Sequence, residues 1–296
     1  KKFFFPYVTL IKNLRKKKKI EFKNWPLTNG SKFLDNYFSS KKFYNKLNII
    51  YADYINENKV IKKNNIDMVL PCVQKQPKDY NWIGYLFDFQ HEYLPEFFSK
   101  EEIEIRRNTM RDILFNCNYV FTNSKKTKKD AEKFFGKFPA TIVTIPYAPC
   151  IDEELFNENH DEVREKYKIK DMHFITCNQF WRHKNHDTIL KAFSEYLNNN
   201  GQADLIFTGN TKDRKFPEHF EYLQSLIKKL NLTNKVKILG MISKKDQLSL
   251  IRSARALIQP TLFEGGPGGG SCRDAISLDT EIFASDIEIN REINCG

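Results

Sequence analysis

Short apolar runs alternate with longer amphipathic segments along most of this 296-residue chain. Runs such as Tyr119 to Thr122 and His173 to Cys177 have the composition of buried strands, and most are followed by a segment with helical periodicity. Consecutive parallel strands need a crossover connection, which is usually a helix. The alternation therefore predicts an α/β protein in which helices cover both faces of parallel sheets.

The alternation runs twice, and this repetition predicts two domains. The predicted strands are 48–52, 66–71 (ended by Pro71), 83–87, 119–122 and 141–145 in the first half, and 173–177, 203–208, 236–239, 256–259 and 281–284 in the second. The predicted helices include 54–64, 99–117, 124–136, 187–200 and 217–230, with Ser99, Ser124, Asp187 and Ser243 as caps. A stretch rich in proline, acidic residues and asparagine after Ile145 indicates a linker. We expect Rossmann-like domains at 1–148 and 171–296 that face each other, with a linker at 149–170.

A glycine-rich loop follows the strand predicted at 256–259. Five of the twelve residues from Glu264 to Ala275 are glycine, and Ser271 with Asp274 three residues later predicts that Ser271 caps the next helix. Glycines there let a ligand approach the backbone, and free N–H groups at a helix N-terminus favour anions. The loop predicts a phosphate site, although the same composition is also found in flexible turns.

Other polar residues follow the ends of predicted strands, where ligands bind in such folds. Arg182 and Lys184 follow the strand 173–177 and suit a diphosphate, arginine as a fork and lysine as a point charge. His91 follows the strand 83–87 and has the chemistry of an acid, a base or a hydrogen-bond donor to a sugar hydroxyl. Further candidates at strand ends are Gly209, Asn210, Gly240 and Met241.

Composition restricts the classes of protein. The 41% hydrophobic and 29% charged residues fit a globular chain, and the net charge of +11 is uneven, with nine Lys or Arg among the first 24 residues. Such a patch suits acidic substrates, nucleic acid or anionic lipid, and it is equally typical of a solvated lysine-rich surface. The six cysteines are scattered without a Cys-x-x-Cys pair, which predicts a reducing compartment and no zinc site.

Taken together, these motifs resemble family 4 glycosyltransferases of the GT-B fold. The similarity covers about residues 170 to 293: the Phe263-Glu264-Gly265 loop after a strand that ends in proline, the Arg/Lys loop after the first strand, and the closing Ser285-Asp286 and Arg291-Glu292 pairs. In the first half, Asp88 to Glu92 and Thr122 to Ser124 are similar to the acceptor-side domain of the same family.

The resemblance implies retaining transfer of a sugar from a nucleotide-diphosphate sugar to a glycan or lipid-linked acceptor. It implies that Arg182 and Lys184 bind the diphosphate, that His91 reaches the transferred sugar or the acceptor, and that Glu264 acts in catalysis and holds the donor sugar. The donor would also contact these residues of the loop and of strand ends: Gly209, Asn210, Gly240, Met241, Gly265, Gly266, Gly268, Gly269, Gly270 and Ser271. No cofactor and no metal are expected, since fixed cations and backbone dipoles offset the charge that builds on the leaving diphosphate.

The sequence departs from the family pattern at three places. The family's second glutamate, a ribose ligand eight residues after the first, corresponds to Cys272, and a helix directs Asp274 about 200° away from that position. The glycine-rich loop usual after a first strand is missing, and family members normally continue beyond the equivalent of Gly296. The last two departures predict that the chain is a fragment that lacks both termini.

Other functions remain open at this point. Cys272 favours a non-catalytic module that binds a nucleotide sugar or glycan. A nicotinamide-dependent dehydrogenase is not supported, because the sequence has no Gly-x-Gly-x-x-Gly motif after a first strand. Nucleic-acid binding rests on net charge alone, so no nucleic acid is expected as a partner. The leading hypothesis is a cytoplasmic glycosyltransferase, working at the inner face of the membrane through its basic patches. It predicts that Lys184→Ala and Glu264→Ala cut transfer sharply while leaving the fold intact.

Overall fold

The computed structural model describes residues 3–4, 68–76, 81–146, 160–169 and 172–293. The strand predicted at 48–52 and the helix predicted at 54–64 lie outside these residues. The strands are β1 Phe3–Phe4, β2 Met68–Cys72, β3 Asn81–Leu86, β4 Tyr119–Thr122, β5 Thr141–Thr144, β6 His173–Cys177, β7 Asp204–Thr208, β8 Val236–Gly240, β9 Ala256–Gln259 and β10 Ile282–Ala284.

The α-helices are α1 Gln90–Tyr93, α2 Lys100–Asn116, α3 Lys125–Phe135, α4 His160–Lys166, α5 His186–Asn198, α6 His219–Lys229, α7 Lys244–Arg252 and α8 Gly269–Ser277. Short 3-10 helices cover Pro95–Phe97, Arg182–Lys184 and Asn290–Glu292. Every predicted strand within the described residues is present, with shifts of a few residues at the ends. One such shift concerns Pro71, which lies inside β2 instead of ending it.

Within the described residues the strands form two five-stranded sheets, in the orders β1-β2-β3-β4-β5 and β10-β9-β6-β7-β8. All four pairs of the second sheet are parallel, with Ile175 opposite both Ile206 and Leu257. In this sheet β6 lies between β7 and β9, so the chain reverses its direction of winding on the two sides of β6. Such a switch point opens a crevice at the carboxyl ends of the strands.

The second sheet has a hydrophobic core on each face, because successive side chains of a strand point to opposite sides. Ile175, Ile206 and Leu257 pack with residues of α7 and α8 on one face. Leu205 and Phe207 pack with residues of α5 and α6 on the other. All five of β7's residues are buried, as expected for a central strand covered by helices on both sides.

The helix caps confirm most of the predicted helix starts. Ser99 and Glu102 form a reciprocal capping box, with N–H to side-chain oxygen distances of 2.9 and 3.1 Å. Ser124 accepts from the Thr127 N–H at α3, and Ser243 from the Asp246 N–H at α7. Two predicted caps are wrong. Helix α5 begins after Asn185, a left-handed residue with φ of 60°, instead of after Asp187, and α8 begins after Gly268 instead of after Ser271.

The described residues separate into two compact units. The larger comprises 86–108, 122–137 and 142–296, and the smaller includes 109–121 and 138–141. Within the range predicted as a linker, 160–169 contains helix α4, and Val163 and Ile169 belong to the core beside α7. The predicted domain boundaries stay a prediction.

Candidate functional site

A cavity of about 370 Å³ lies at the carboxyl ends of the strands of the second sheet. The last residues of β6, β7 and β9, which are Cys177, Thr208 and Gln259, all line it, as does Met241 directly after β8. The remaining lining residues come from the following loops and helix starts: Asn178, Gln179, Trp181, Lys184, Gly209, Ile242, Lys244, Gln247, Glu264, Gly269, Gly270, Ser271 and Asp274. The cavity therefore occupies the switch-point crevice that the strand order creates.

An ion pair between Lys184 and Glu264 forms one wall. Lys184 Nζ donates to Glu264 Oε1 over 2.5 Å, and only 11% and 8% of the two side chains are exposed. Gln259 Nε2 donates to the same carboxylate oxygen over 3.0 Å, and Asn178 Nδ2 donates to Gln259 Oε1 over 2.5 Å. This network holds both charges at fixed positions in a site shielded from water, where fixed charges act most strongly.

Backbone contacts hold the two loops that carry this pair against each other. The Leu262 N–H donates to the His183 carbonyl over 2.8 Å, and Asn185 Nδ2 donates to the Pro260 carbonyl over 3.0 Å. Thr261 Oγ1 also donates to the His183 carbonyl, over 3.2 Å. The positions of Lys184 and Glu264 are consequently set by the fold and not by the two side chains alone.

The first turn of α8 supplies backbone donors to the cavity. The Gly269 N–H donates to the Gly266 carbonyl over 3.1 Å, whereas the N–H groups of Gly270 and Ser271 have no carbonyl one turn earlier within the helix. A Cβ on Gly270 would meet nothing within 4 Å, so the backbone there is open to a ligand. The open N–H groups have the geometry that an anion needs, and the helix begins two residues before Ser271. The phosphate site that the glycine loop predicts stays a prediction.

The earlier glycines of the loop have a different role, since Gly265, Gly266 and Gly268 do not line the cavity. A Cβ on Gly265 would lie 3.2 Å from the Asp88 Cβ, and one on Gly266 would lie 3.4 Å from the Asn123 Cβ. Gly268 has φ of 66° and donates its N–H to Asn290 Oδ1 over 3.0 Å. These glycines permit close packing of the loop within the larger unit, and the prediction that they contact the donor has no support in the cavity lining.

Cys272 and Asp274 face opposite environments. Cys272 is fully buried in the core with Ile175 and Leu257, whereas Asp274 lines the cavity and pairs with Lys244. The two positions do differ in direction, as the helical geometry predicted, but the side chain that reaches the cavity is Asp274. The expectation that Asp274 cannot take the place of the family's second glutamate is therefore wrong, because α8 turns position 272 toward the sheet and position 274 toward the cavity.

Arg182 is also placed differently from the prediction. Its guanidinium lies over the rings of Phe97 and Phe216, at 5.7 and 5.2 Å, and Arg182 does not line the cavity. Weakly hydrated guanidinium groups stack well on aromatic faces. Among the described residues, the lysines that line the cavity are Lys184 and Lys244, and the sequence had singled out only Lys184.

His91 lies outside the cavity lining, in the short helix α1. The side chain is buried, Nδ1 is 3.5 Å from the Arg106 guanidinium, and Nε2 is 3.4 Å from Glu92 without the geometry of a hydrogen bond. Burial, and then the charge of Arg106, lower the pKa of His91, so the imidazole is neutral at pH 7. A catalytic role for His91 stays a prediction.

Of the two predicted residues after β7 and the two at the end of β8, one of each pair lines the cavity. Gly209 and Met241 line the cavity, whereas Asn210 and Gly240 do not. Gly209 has φ of 136°, and a Cβ there would lie 1.9 Å from the Asn178 carbonyl oxygen, so only glycine fits. The Asn210 carbonyl accepts from the Phe180 N–H over 3.0 Å, and the Gly240 carbonyl accepts from the Gly209 N–H over 2.8 Å. Asn210 and Gly240 thus shape the cavity through the backbone.

Sequence reasoning missed several polar lining residues, of which Lys244, Gln259 and Asn178 make the contacts described above. Gln259 and Asn178 had a usable signal, since each is the last residue of a strand or directly follows one. Lys244 is the first residue of a capped helix after β8, a position that the parallel topology brings to the same edge. Nothing in the local sequence distinguishes Lys244 from Lys245 beside it.

Two histidines lie close to Lys184 in the sequence: His183 is half-buried, and His186 is the first residue of α5. His186 is fully buried and stacks on Phe180 with ring centroids 4.5 Å apart. Burial, and then the charge of His219, lower the pKa of His186 to about 3. Burial and the adjacent Lys184 lower the pKa of His183 to about 3 as well. Both imidazoles are therefore neutral near pH 7.

The fold agrees with comparisons to known proteins. The sequence model of the family described as "Glycosyl transferases group 1" matches residues 159–295, so this part of the chain is similar to that family. The match contains the whole second sheet and every residue that lines the cavity.

A curated relative and several solved structures are similar to this chain. A GDP-Man:Man(3)GlcNAc(2)-PP-Dol alpha-1,2-mannosyltransferase of Neurospora crassa is 28% identical over 156 residues, which are 47% of this chain and 28% of the relative. A sucrose-phosphate synthase from Thermosynechococcus elongatus has a TM-score of 0.62 at 16% identity, over 78% of this chain and 58% of that chain. Anabaena HepE, in complex with UDP and glucose, has a TM-score of 0.62 at 16% identity, over 80% of this chain and 64% of its own.

These likenesses show that the fold is GT-B, as the sequence predicted. The chain spans less than a third of the curated relative and about six-tenths of these two structures. No helix within the described ranges is both long enough and apolar enough to cross a bilayer.

Proposed function

We propose that this chain is part of a retaining family 4 glycosyltransferase that moves a sugar from a nucleoside-diphosphate sugar to a glycan or lipid-linked acceptor. The observation that carries the proposal is the cavity in which Lys184, paired with Glu264, lies beside the open first turn of α8. Leaving of a nucleoside diphosphate places negative charge on the phosphates and positive charge on the sugar ring. Lys184 and the N–H groups stabilise the negative charge on the phosphates, and the Glu264 carboxylate stabilises the positive charge on the sugar ring.

Asp274 completes the donor site in this proposal. Its carboxylate lines the cavity and has the acceptors that ribose hydroxyls need, so we assign it the role that the family gives to its second glutamate. The non-catalytic alternative rested on Cys272. Since Cys272 belongs to the core of the sheet, its identity gives no reason to expect lost activity.

The chemistry of the cavity needs no divalent ion in this proposal, because lysine and backbone donors supply the positive charge. His91 is kept as a group that contacts the transferred sugar or the acceptor, acting as a neutral hydrogen-bond donor or acceptor. The net charge of +11 and the exposed lysines of α3, including Lys125, Lys128 and Lys129, support a cytoplasmic enzyme that contacts anionic lipid at the membrane face.

A thermal-shift screen tests the donor site. The N. crassa relative is named for GDP-Man and HepE holds UDP, so the screen uses UDP, GDP and ADP with their sugars. We expect one nucleoside diphosphate to raise the melting temperature, and its sugar to be hydrolysed slowly by the chain. A protein that none of these compounds stabilises would contradict the proposed donor site. A protein that binds a nucleotide sugar without ever turning it over would support a binding module instead.

Replacing Asp274 tests the ribose contact. We expect Asp274→Asn to weaken binding of the nucleoside roughly 10-fold, because a neutral amide replaces the carboxylate that accepts from the ribose hydroxyls. Binding of the diphosphate should weaken less, because the lining loses one negative charge. Cys272→Ala is the matched control and leaves both affinities unchanged, since Cys272 does not reach the cavity. Calorimetry with uridine and UDP, or guanosine and GDP, measures both. Equal affinities in Asp274→Asn and the unaltered chain would remove Asp274 from the site.

A further inference from the structure

We propose that Lys244 is the second cation for the donor's diphosphate, opposite Lys184, and that Arg182 has no part in binding it. This inference rests on the proposed function and assigns a residue to its diphosphate subsite. The sequence pointed to Arg182, which the structure places over the rings of Phe97 and Phe216. Lys244 lines the cavity, where its ammonium group bonds to Asp274.

The two lysines are held near different points of α8. Lys184 bonds Glu264, and a Cβ on Gly269 would lie 3.3 Å from Glu264 Oε2. Lys244 bonds Asp274, which follows Gly270 by four residues and so lies one turn, about 6 Å, further along the helix. Along α8, the N–H groups of Gly270 and Ser271 lie between these two contacts, and both lysines line the same cavity as these residues.

The charge of the cavity makes the second lysine necessary. Its charged lining residues are Lys184, Lys244, Glu264 and Asp274, which sum to zero. Without Lys244 the lining would carry one net negative charge, which repels the multiply charged diphosphate of a nucleotide. With Lys244 present, each phosphate has a cation and the carboxylates remain available for hydroxyl groups.

The Lys244–Asp274 pair also has the freedom to rearrange. The Lys244 side chain is 45% exposed, compared with 11% for Lys184, and exposed ion pairs contribute little to stability. Ser243 caps α7 and fixes the backbone of Lys244 at the first position of that helix. The ammonium group can turn from Asp274 to a phosphate oxygen without any change in the backbone, and Asp274 is then free to accept from ribose.

Calorimetry on Lys244→Gln tests the assignment, with Arg182→Gln as the matched control. The ligands are UDP, GDP and ADP, the corresponding nucleosides, and inorganic pyrophosphate. In Lys244→Gln we expect the diphosphate that the unaltered chain binds, and pyrophosphate, to bind at least about 10-fold more weakly, since a charge-assisted hydrogen bond is lost. The corresponding nucleoside should keep its affinity within about twofold. Arg182→Gln should leave every affinity within about twofold.

Two outcomes would overturn the assignment while leaving the proposed function intact. One is unchanged diphosphate affinity in Lys244→Gln, and the other is an equal loss for nucleoside and diphosphate, which would mean that Lys244 only orients Asp274. A large loss of diphosphate affinity in Arg182→Gln would return the role to Arg182. If the unaltered chain binds none of UDP, GDP and ADP, the proposed donor site and this assignment fail together. The melting temperatures of Lys244→Gln and Arg182→Gln without ligand, if unchanged from the unaltered chain, show that both variants are folded.

Discussion

The two ion pairs of the cavity differ in how deeply they are built into the protein. Lys184 and Glu264 are 11% and 8% exposed, and Glu264 also accepts from Gln259. In the other pair Asp274 is 11% exposed but Lys244 is 45% exposed. The Lys184–Glu264 ion pair is therefore part of the packed interior, whereas the Lys244–Asp274 ion pair is partly open to solvent.

Because of this difference, the two ion pairs should contribute differently to the stability of the fold and to binding of the donor. Removing one partner of a buried pair leaves an uncompensated charge, which costs about 3–5 kcal/mol, whereas an exposed pair contributes about 0–1 kcal/mol. The Lys184 pair should consequently matter for folding as well as for the donor, and the Lys244 pair for the donor alone. The sequence had predicted that Lys184 and Glu264 could be replaced without harm to the fold, and the burial of the pair argues against that.

The largest effect is expected for Lys184→Met. The variant leaves Glu264 charged and buried, so the free energy of unfolding should fall by about 3–5 kcal/mol, and transfer should fall at least about 100-fold because a fixed cation is lost. Urea unfolding and a donor hydrolysis assay measure the two. The double variant Lys184→Met/Glu264→Gln should regain most of the stability and none of the activity. A single variant as stable as the unaltered chain would show that the pair is not part of the folded interior.

The second-largest effect is expected for acid, which should lower the free energy of unfolding through His186, two residues after Lys184. His186 has a pKa of about 3 in the folded chain, because of burial and then of His219, and an ordinary value of 6.5 when unfolded. Below about pH 6.5 the unfolded chain takes up a proton that the folded chain does not, so stability falls as the pH falls toward about 3. The slope is at most about 1.4 kcal/mol per pH unit for this group.

The variant His186→Phe isolates that contribution. A phenyl ring keeps the stacking on Phe180 and does not titrate, so unfolding free energies measured from pH 7 to 4.5 should depend less steeply on pH. Lys244→Met, at the other pair, should keep the slope of the unaltered chain. An unchanged slope in His186→Phe would mean that His186 is protonated in the folded state.

The smallest effect is expected for the stability of Lys244→Met. Because the side chain is 45% exposed, the free energy of unfolding should change by less than about 1 kcal/mol. Added salt at 0.5 M should reduce even that difference, since salt screens exposed charges more than buried ones. A loss as large as that of Lys184→Met would show that the two pairs are equivalent and would end the distinction between them.

Local signals in the sequence were sufficient for most elements of the fold. Apolar runs such as 119–122, 173–177 and 256–259 correspond to strands with the same bounds, and Ser99, Ser124 and Ser243 cap helices as predicted. Both signals depend on residues a few positions apart, so they can be found without a structure. The starts of α5 and α8 were missed because left-handed Asn185 and Gly268 precede these helices in place of the expected side-chain caps.

The site was found only in part. Parallel strands bring their carboxyl ends to one edge, so the sequence could place Lys184, Glu264, Gly269 and Gly270 at that edge, and all four line the cavity. It also proposed Arg182, Gly265 and Gly266, which share the same loops but do not line the cavity. Membership of a loop follows from sequence, whereas the direction of a side chain follows from what packs against the loop.

The sequence by itself determined the α/β class, the order of strands and helices along the chain, and the place of the glycine loop after a strand end. Only the tertiary structure decided that Cys272 packs in the core, that Asp274 enters the cavity and that Lys244 meets Asp274 there. The physical reason is distance along the chain. Lys244 and Asp274 are 30 residues apart, and their contact exists because α7 and α8 begin at the same edge of one parallel sheet.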